Sequence, residues 1–483
     1  SFLDGNISWR YSINEVHDMR NISFHHTVLF ALFALLHSLP AHSDGVTIIA
    51  HGWNPNSESP VWLSEMQTAI AEKYLGGEQN FGKITITSDF LGRLTAVCNP
   101  WNIDLASSST GEIIVTLDWS SVANHLLPNG KSTQEIAAAI ESVILNGQNG
   151  KKALAELPIH LIGHSRGGSL VCELARRLGE QGLIVDHLSP LDPHPLTASD
   201  PQSSLRTIID APALVYENVV FADAFSQFIS YPQGQQIPGA YNRYFASLPG
   251  GYHNESGGAF ADHRNVYLWY HGTIDLSEST GNGEAEIGAQ ERQSWWNEYE
   301  TENGIRGARS GFYYSRINGK GNRLSADRPV SEGDRIVDGY NQSVGGEGAR
   351  ESLAWSSAVW PNIVRLEMPR GDSGVHQIAV GTPLEIRYAL QDYDSESTVS
   401  FYADLDRNPY NDNAIPLGSQ THSATGKNIL RTSFTCETST LTQDTIHYIA
   451  AKITDTVRTR YFYTAAAIYS TSGPSGVAEW TLY

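Results

Sequence analysis

Gly163-His164-Ser165-Arg166-Gly167 constrains this chain more than any other stretch, because the residues on either side fix its local geometry. Pro158-Ile159-His160-Leu161-Ile162 before it reads as a short buried strand. After it, Leu170, Val171, Leu174, Ala175 and Leu178 recur at helical spacing until Gly179. Strand, Gly-x-Ser-x-Gly and helix together describe a turn so tight that its serine takes a strained backbone and its neighbours must be glycine. Such a bend lifts the Ser165 hydroxyl clear of the sheet and aims the first helix amides at the same point. The pentapeptide alone also fits an ordinary Gly-rich turn; its flanks point to a nucleophile.

The surrounding pattern alternates strand and helix from Gly45 to about residue 285, which predicts a mainly parallel sheet with helices on both faces. Strands are expected at Val46–Ala50, Ile113–Leu117, Gly182–Leu191 and Leu214–Ala222, with an inserted hairpin or loop over about 80–110. Ser132-Thr133-Gln134-Glu135 is a capping box opening a helix with Ile136, Ala139, Ile140, Val143 and Ile144 on its apolar face. Beyond Arg365 only strand-like segments remain, at Leu384–Leu390, Thr398–Ala403, Thr445–Ile453 and Arg460–Tyr469, as in a β-sandwich. The expected organisation is a leader over 1–43, a catalytic domain over 44–300, a linker or accessory segment over 301–365 and a β-sandwich domain over 366–483.

Charge narrows the partners. With 32 basic against 52 acidic residues the formal charge is −20, which excludes the positive footprint of a nucleic-acid binder and disfavours anionic membranes. Met19-Arg20-Asn21, the apolar run Val28–Leu36 and the small residues Ala41 and Ser43 have the layout of a secretory signal peptide, so the mature chain is expected outside the cell, with residues 1–18 preceding the export signal. The three cysteines, Cys98, Cys172 and Cys436, form no disulfide framework or metal-ligand pattern, and Cys172 is expected as a small core residue. Asp404, Asp406, Asn408, Asn411 and Asp412 cluster after a strand and read as a polar turn rather than a calcium loop.

A serine hydroxyl needs a histidine base and an acid to orient it. Asp192 follows the strand ending at Leu191, and Pro193 and Pro195 stop that strand; Asp186, Asp200 and especially Asp223 are its rivals. His263 opens a helical period carried by Val266, Trp269 and Tyr270, ahead of His253 in a Gly-rich loop and His271 late in the helix. For the oxyanion, the amide of Arg166 is one donor, and the strand-ending His51-Gly52-Trp53 supplies the other through Trp53.

In this order, the strand-HGW segment, Asp118-Trp119, GHSRGG, LDPHPL, the Tyr231–Gly239 loop and ADHRNVYLWY resemble the pancreatic-type lipase family over about residues 45–275. The resemblance implies an α/β-hydrolase fold and ester hydrolysis, with Ser165, Asp192 and His263 as triad and the Trp53 and Arg166 amides as oxyanion hole. It implies no metal or organic cofactor. Arg166 stands where those lipases usually carry an apolar residue, and the disulfides that frame their lid are absent, so interfacial activation and a colipase-like partner do not carry over.

The expected function is therefore a secreted serine hydrolase of lipid-like carboxylic esters. Hydrolysis of another acyl bond or a polyester, or a non-catalytic binding or adhesion role, are the alternatives. Phe225, Phe228, Tyr231, Tyr241, Tyr244 and Phe245, with the 80–110 insertion, are expected to wall the acyl pocket. The C-terminal strands are expected to contact an insoluble substrate or surface, or to stabilise the enzyme. Nothing in the sequence sets an oligomeric state.

Overall fold

A computed structural model describes residues 45–472, apart from 57, 100–110, 148–151, 202–206, 255–257, 275–284, 318–335 and shorter stretches between 289 and 373. The expected signal peptide lies outside the described residues, as does the second half of the 80–110 insertion.

The N-terminal part is a mixed, mostly parallel sheet covered by helices. Its strands are β1 (Val46–Ala50), β2 (Phe81–Ser88), β3 (Leu94–Cys98), β4 (Ile113–Asp118), β5 (Ile159–His164), β6 (Val185–Leu191), β7 (Val219–Gln227) and β8 (Tyr241–Phe245). The spatial order runs β8-β7-β6-β5-β1-β4-β2-β3, all neighbours parallel except the β2–β3 hairpin. After a short antiparallel pair, β9 (Glu300–Thr301) with β10 (Gly304–Ile305), two further short strands, β11 (Ile336–Val337) and β12 (Tyr340–Asn341), extend the sheet beyond β8.

Strand pleating sends alternate side chains to opposite faces. Val46, Ile48 and Ala50 pack on one side with helices α2 (Thr133–Leu145) and α3 (Arg166–Glu180). Ile49, Ile114 and Ile162 pack on the other with α1 (Val61–Tyr74) and α4 (Ala261–Gly272). The capping box of Ser132 and Glu135 is formed in both directions. Cys98, Cys172 and Cys436 are free and buried, and Cys172 lies in the core between sheet and α3.

Two expectations shift. The 80–110 insertion begins as the expected hairpin, β2–β3, hydrogen-bonded into the sheet edge, and its remainder lies outside the described residues. The strand expected at Leu214–Ala222 forms at Val219–Gln227, because Tyr216–Asn218 turn the chain before pairing begins. Phe225, Tyr241 and Phe245 are core residues, at 0–5% exposure, packed with Trp269 or Phe221 under α4. Of the aromatics expected around the acyl pocket, Phe228 and Tyr231 are the exposed ones.

The C-terminal part is β-rich. β13 (Asn362–Glu367), β15 (Leu384–Gln391) and β18 (Leu430–Cys436) form one antiparallel sheet. β14 (Val375–Ala379), β20 (Thr459–Thr471), β19 (Thr445–Thr454), β16 (Ser397–Asp404) and β17 (Ile415–His422) form a second, with β14 and β20 parallel. Ile386, Tyr388 and Leu390 of the first sheet share one core with Val399, Phe401, Ile449 and Ala451 of the second. The Asp404–Asn413 turn spends its carboxylates internally: Asp406 accepts from Asn411, Asn413 and the Asn408 amide, and Asp404 from Tyr463.

This β-rich part docks at one end of the parallel strands. The buried Arg460 guanidinium of β20 donates to the carbonyls of Leu157 and Ile184 and to Asn362 Oδ1. Asn362 in turn bonds Gly182 O and the Ile184 amide. Tyr410 reaches Glu156, Lys427 reaches Glu217, and Gly111 N donates to Arg407 O. Each contact falls just before the start of β4, β5, β6 or β7.

Candidate active site

The opposite ends of those strands build a crevice. β1 pairs with β4 on one side and β5 on the other, so the chain order reverses there, the usual place for a ligand in an open α/β sheet. Register does the rest. Ala50 lies beside Gly163, so the His51-Gly52-Trp53 turn and Ser165 leave the sheet side by side. His164 lies beside Leu191, and Leu191 beside Phe225, which brings Asp192 and Gln227 into the same crevice.

Ser165 sits at the N-cap of α3 with φ 60° and ψ −126°, the strained turn expected from the sequence. Its amide is held by Leu191 O at 2.9 Å, and its carbonyl accepts from the amides of Gly168 and His194. Close packing makes the flanking glycines obligatory. A Cβ on Gly163 would stand 2.2 Å from Gly167 O, and one on Gly52 would stand 2.5 Å from Ser165 Cβ. The His51–Trp53 backbone therefore lies directly against the serine side chain.

Asp192 and His263 meet at 2.5 Å, Nδ1 donating to Oδ2. That hydrogen bond leaves Nε2 as the acceptor nitrogen. The Asp192 carboxylate, fully buried, also accepts from the amides of Gln227 (2.8 Å) and Gly234 (3.0 Å) and from Gln227 Nε2 (3.2 Å). Burial pushes this carboxyl upward, and the Gln227 and Gly234 hydrogen bonds oppose it. Burial also pushes His263 down, helped by the charges of His194 and Arg264, so the resting imidazole is neutral. His164 Nε2 donates to His263 O at 2.9 Å and ties the histidine-bearing helix end to the residue before Ser165. His263 thus bonds to Asp192 and His164 and makes no hydrogen bond to Ser165 Oγ.

The rivals are engaged elsewhere. Asp223 is fully buried with His187 (2.8 Å) and Ser189 (2.6 Å) in the middle of the sheet. Asp186 lies 3.7 Å from Arg316, and Asp200 caps Thr197. His253 pairs with Asp262 at 2.9 Å, and His271 is buried on α4.

Arg166 turns away from the crevice. Its side chain is 2% exposed, stacks over Trp119 and forms a bidentate ion pair with Asp210. It also donates to Ala123 O and Lys131 O. Trp53 is partly exposed, with Nε1 on Asn124 Oδ1 and its ring 6.2 Å from Phe260. Around the mouth, Phe228, Tyr231 and Phe260 are 46%, 64% and 43% exposed.

Sequence reasoning missed Gln227. Its amide side chain also ties down Ser230 O and Pro232 O, so one residue holds both the acid and the loop beside it. A lone glutamine ending an apolar strand was the available signal.

No protein-family model and no curated protein matches the chain. Twenty-four solved chains match, among them a Niemann-Pick type C2 protein from the Japanese carpenter ant, at 8% identity and a TM-score of 0.17 over 22% of this chain and 90% of that one. A likeness on that scale carries no argument about fold or function.

Proposed function

We propose that this chain is a serine hydrolase with an α/β-hydrolase fold, acting on carboxylic esters with apolar acyl groups. The observation that carries the reading is the Asp192–His263 hydrogen bond, set in one crevice with a serine in a strained strand-to-helix turn. Ser165 Oγ attacks the ester carbonyl while His263 Nε2 takes its proton. Asp192 keeps Nδ1 protonated and stabilises the imidazolium that forms. The amides of Trp53 and Arg166 receive the oxyanion, a contribution of roughly 3–4 kcal/mol for a preorganised donor. His263 then returns its proton to the leaving alcohol, and water cleaves the acyl-enzyme. The exposed aromatic side chains at the mouth favour an apolar acyl chain over a charged one.

A fluorophosphonate probe tests this directly. Wild-type protein is expected to be labelled at Ser165 and Ser165→Ala not at all, while p-nitrophenyl esters of increasing chain length report the acyl preference. Labelling that survives the substitution overturns the assignment.

A further inference from the structure

The peptide between Gly52 and Trp53 carries an N–H that the hydrolase reading assigns to the oxyanion, yet glycine is the residue least able to hold a peptide in one orientation. No larger residue can take its place, because a Cβ on Gly52 would stand 2.5 Å from Ser165 Cβ. Something outside the backbone must keep that peptide from turning over.

The His51 ring, 1% exposed, is placed to do so, with Nδ1 at 2.8 Å from Gly52 O. On its far side, Nε2 lies 3.2 Å from the Trp119 amide and 3.1 Å from Ser120 Oγ. A backbone N–H can only donate, so Nε2 is the acceptor nitrogen and Nδ1 carries the hydrogen. Nδ1 therefore donates to Gly52 O. Ser120 fits the same direction: Oγ accepts from Asn54 Nδ2 at 3.2 Å and keeps its own hydrogen for Nε2. Asp118 Oδ1 is 3.8 Å from Nε2, beyond hydrogen-bond reach, and that carboxylate is taken up by Lys83 and the Ser120 amide.

A trans peptide is planar, with its C=O and N–H pointing in opposite directions. Holding Gly52 O on the imidazole consequently fixes the direction of the Trp53 N–H. Trp119, fully buried, completes the grip: its indole Nε1 donates to His51 O at 2.8 Å, and its ring stacks on the imidazole with centroids 5.5 Å apart.

We propose that His51 is a positioning residue for the oxyanion donor: in a tautomer set by the Trp119 amide, its Nδ1–H locks the Gly52–Trp53 peptide with the Trp53 N–H turned to the reacting carbonyl. The inference rests on the hydrolase reading above and adds to it a residue that touches no substrate. Full negative charge reaches that donor only in the transition state, so the lock acts on kcat and hardly on KM.

The test titrates working Ser165 to completion with a fluorophosphonate and normalises soluble-ester kinetics to that concentration. His51→Leu is expected to lose roughly 10²–10³-fold in kcat, with KM within about threefold of wild type. His51→Asn, whose Nδ2 can stand where Nδ1 stood, should restore most of that kcat. Imidazole nitrogen shifts from NMR of the wild type should show His51 with Nδ1 protonated, a readout that needs no variant to fold. An Nε2–H tautomer overturns the inference. So does an unchanged kcat in His51→Leu, or a His51→Asn as impaired per titrated serine as His51→Leu, which would reduce the ring to packing. A wild type that no fluorophosphonate labels overturns the hydrolase reading and the inference with it, whereas a labelled wild type with any of the other outcomes overturns the inference alone.

Discussion

Arg166 and Asp210 form a buried bidentate ion pair, Nε to Oδ2 and Nη2 to Oδ1, both at 2.7 Å. The guanidinium of the residue following the candidate nucleophile thus ties α3 to the loops around Ala123, Lys131 and Asp210, apart from the role proposed for its amide. Arg166→Met leaves Asp210 charged and buried, and should cost roughly 3–5 kcal/mol of stability. The folded fraction should still react with a fluorophosphonate at low temperature, and adding Asp210→Asn should recover part of the loss. Denaturant unfolding and labelling rates of the single and double variants check both statements.

Asp192 and Asp223 are separable by substitution. Asp192→Asn removes the acceptor that orients His263, so kcat should fall by roughly 10³–10⁴-fold with the fold retained by circular dichroism. Asp223→Asn disturbs the His187 and Ser189 bonds instead and should lower the melting temperature while leaving kcat per folded molecule within a few-fold. The reverse pattern would reassign the acid.

Gly52 bears on the proposed oxyanion donor, the Trp53 amide. A methyl there meets Ser165 Cβ at 2.5 Å and His164 O at 2.7 Å, so the turn must move. Displacing one oxyanion donor costs roughly 10²–10³ in kcat, and Gly52→Ala is expected to approach that loss with KM changed far less. Steady-state kinetics on a soluble ester separate the two constants.

His271 predicts part of the acid sensitivity. Burial lowers it to about 4, and its Nδ1 has no hydrogen-bond partner. The folded imidazole stays neutral where the unfolded one, near 6.5, takes a proton. Stability should therefore fall as pH drops from about 6.5 to about 4, by up to about 1.4 kcal/mol per pH unit from this group. His271→Leu should flatten that slope, which unfolding curves at pH 5 and pH 8 would show as a larger gain at the lower pH.

The sequence made the interior of this molecule readable and left its margins obscure. In the β-rich part, the four expected strands, β15, β16, β19 and β20, are the inner strands of the two sheets, and the four that escaped notice, β13, β14, β17 and β18, are their edges. Edge strands face water more and alternate weakly; the burial of Leu430–Cys436 shows it, with one fully buried residue in seven. In the crevice, Ser165, Asp192 and His263 were legible because each stands where a strand ends or a helix begins. Gln227 was not, since its role follows from the lateral register of β6 with β7, which no local pattern encodes. The aromatic side chains of 225–245 were misplaced for a related reason. Strand pairing continues through Gln227 and resumes at Tyr241, which turns Phe225, Tyr241 and Phe245 inward.

Arg460 fastens the β-rich part to the carbonyls of Leu157 and Ile184, at the starts of β5 and β6, while Ser165 and Asp192 stand at the finishes of the same two strands. Seven residues separate each pair, roughly 25 Å of extended chain. The two halves of the chain consequently face in opposite directions. Whatever the C-terminal module grips would be held behind the serine, so a protein anchored that way would present its crevice outward and work on what drifts past rather than on its own mooring.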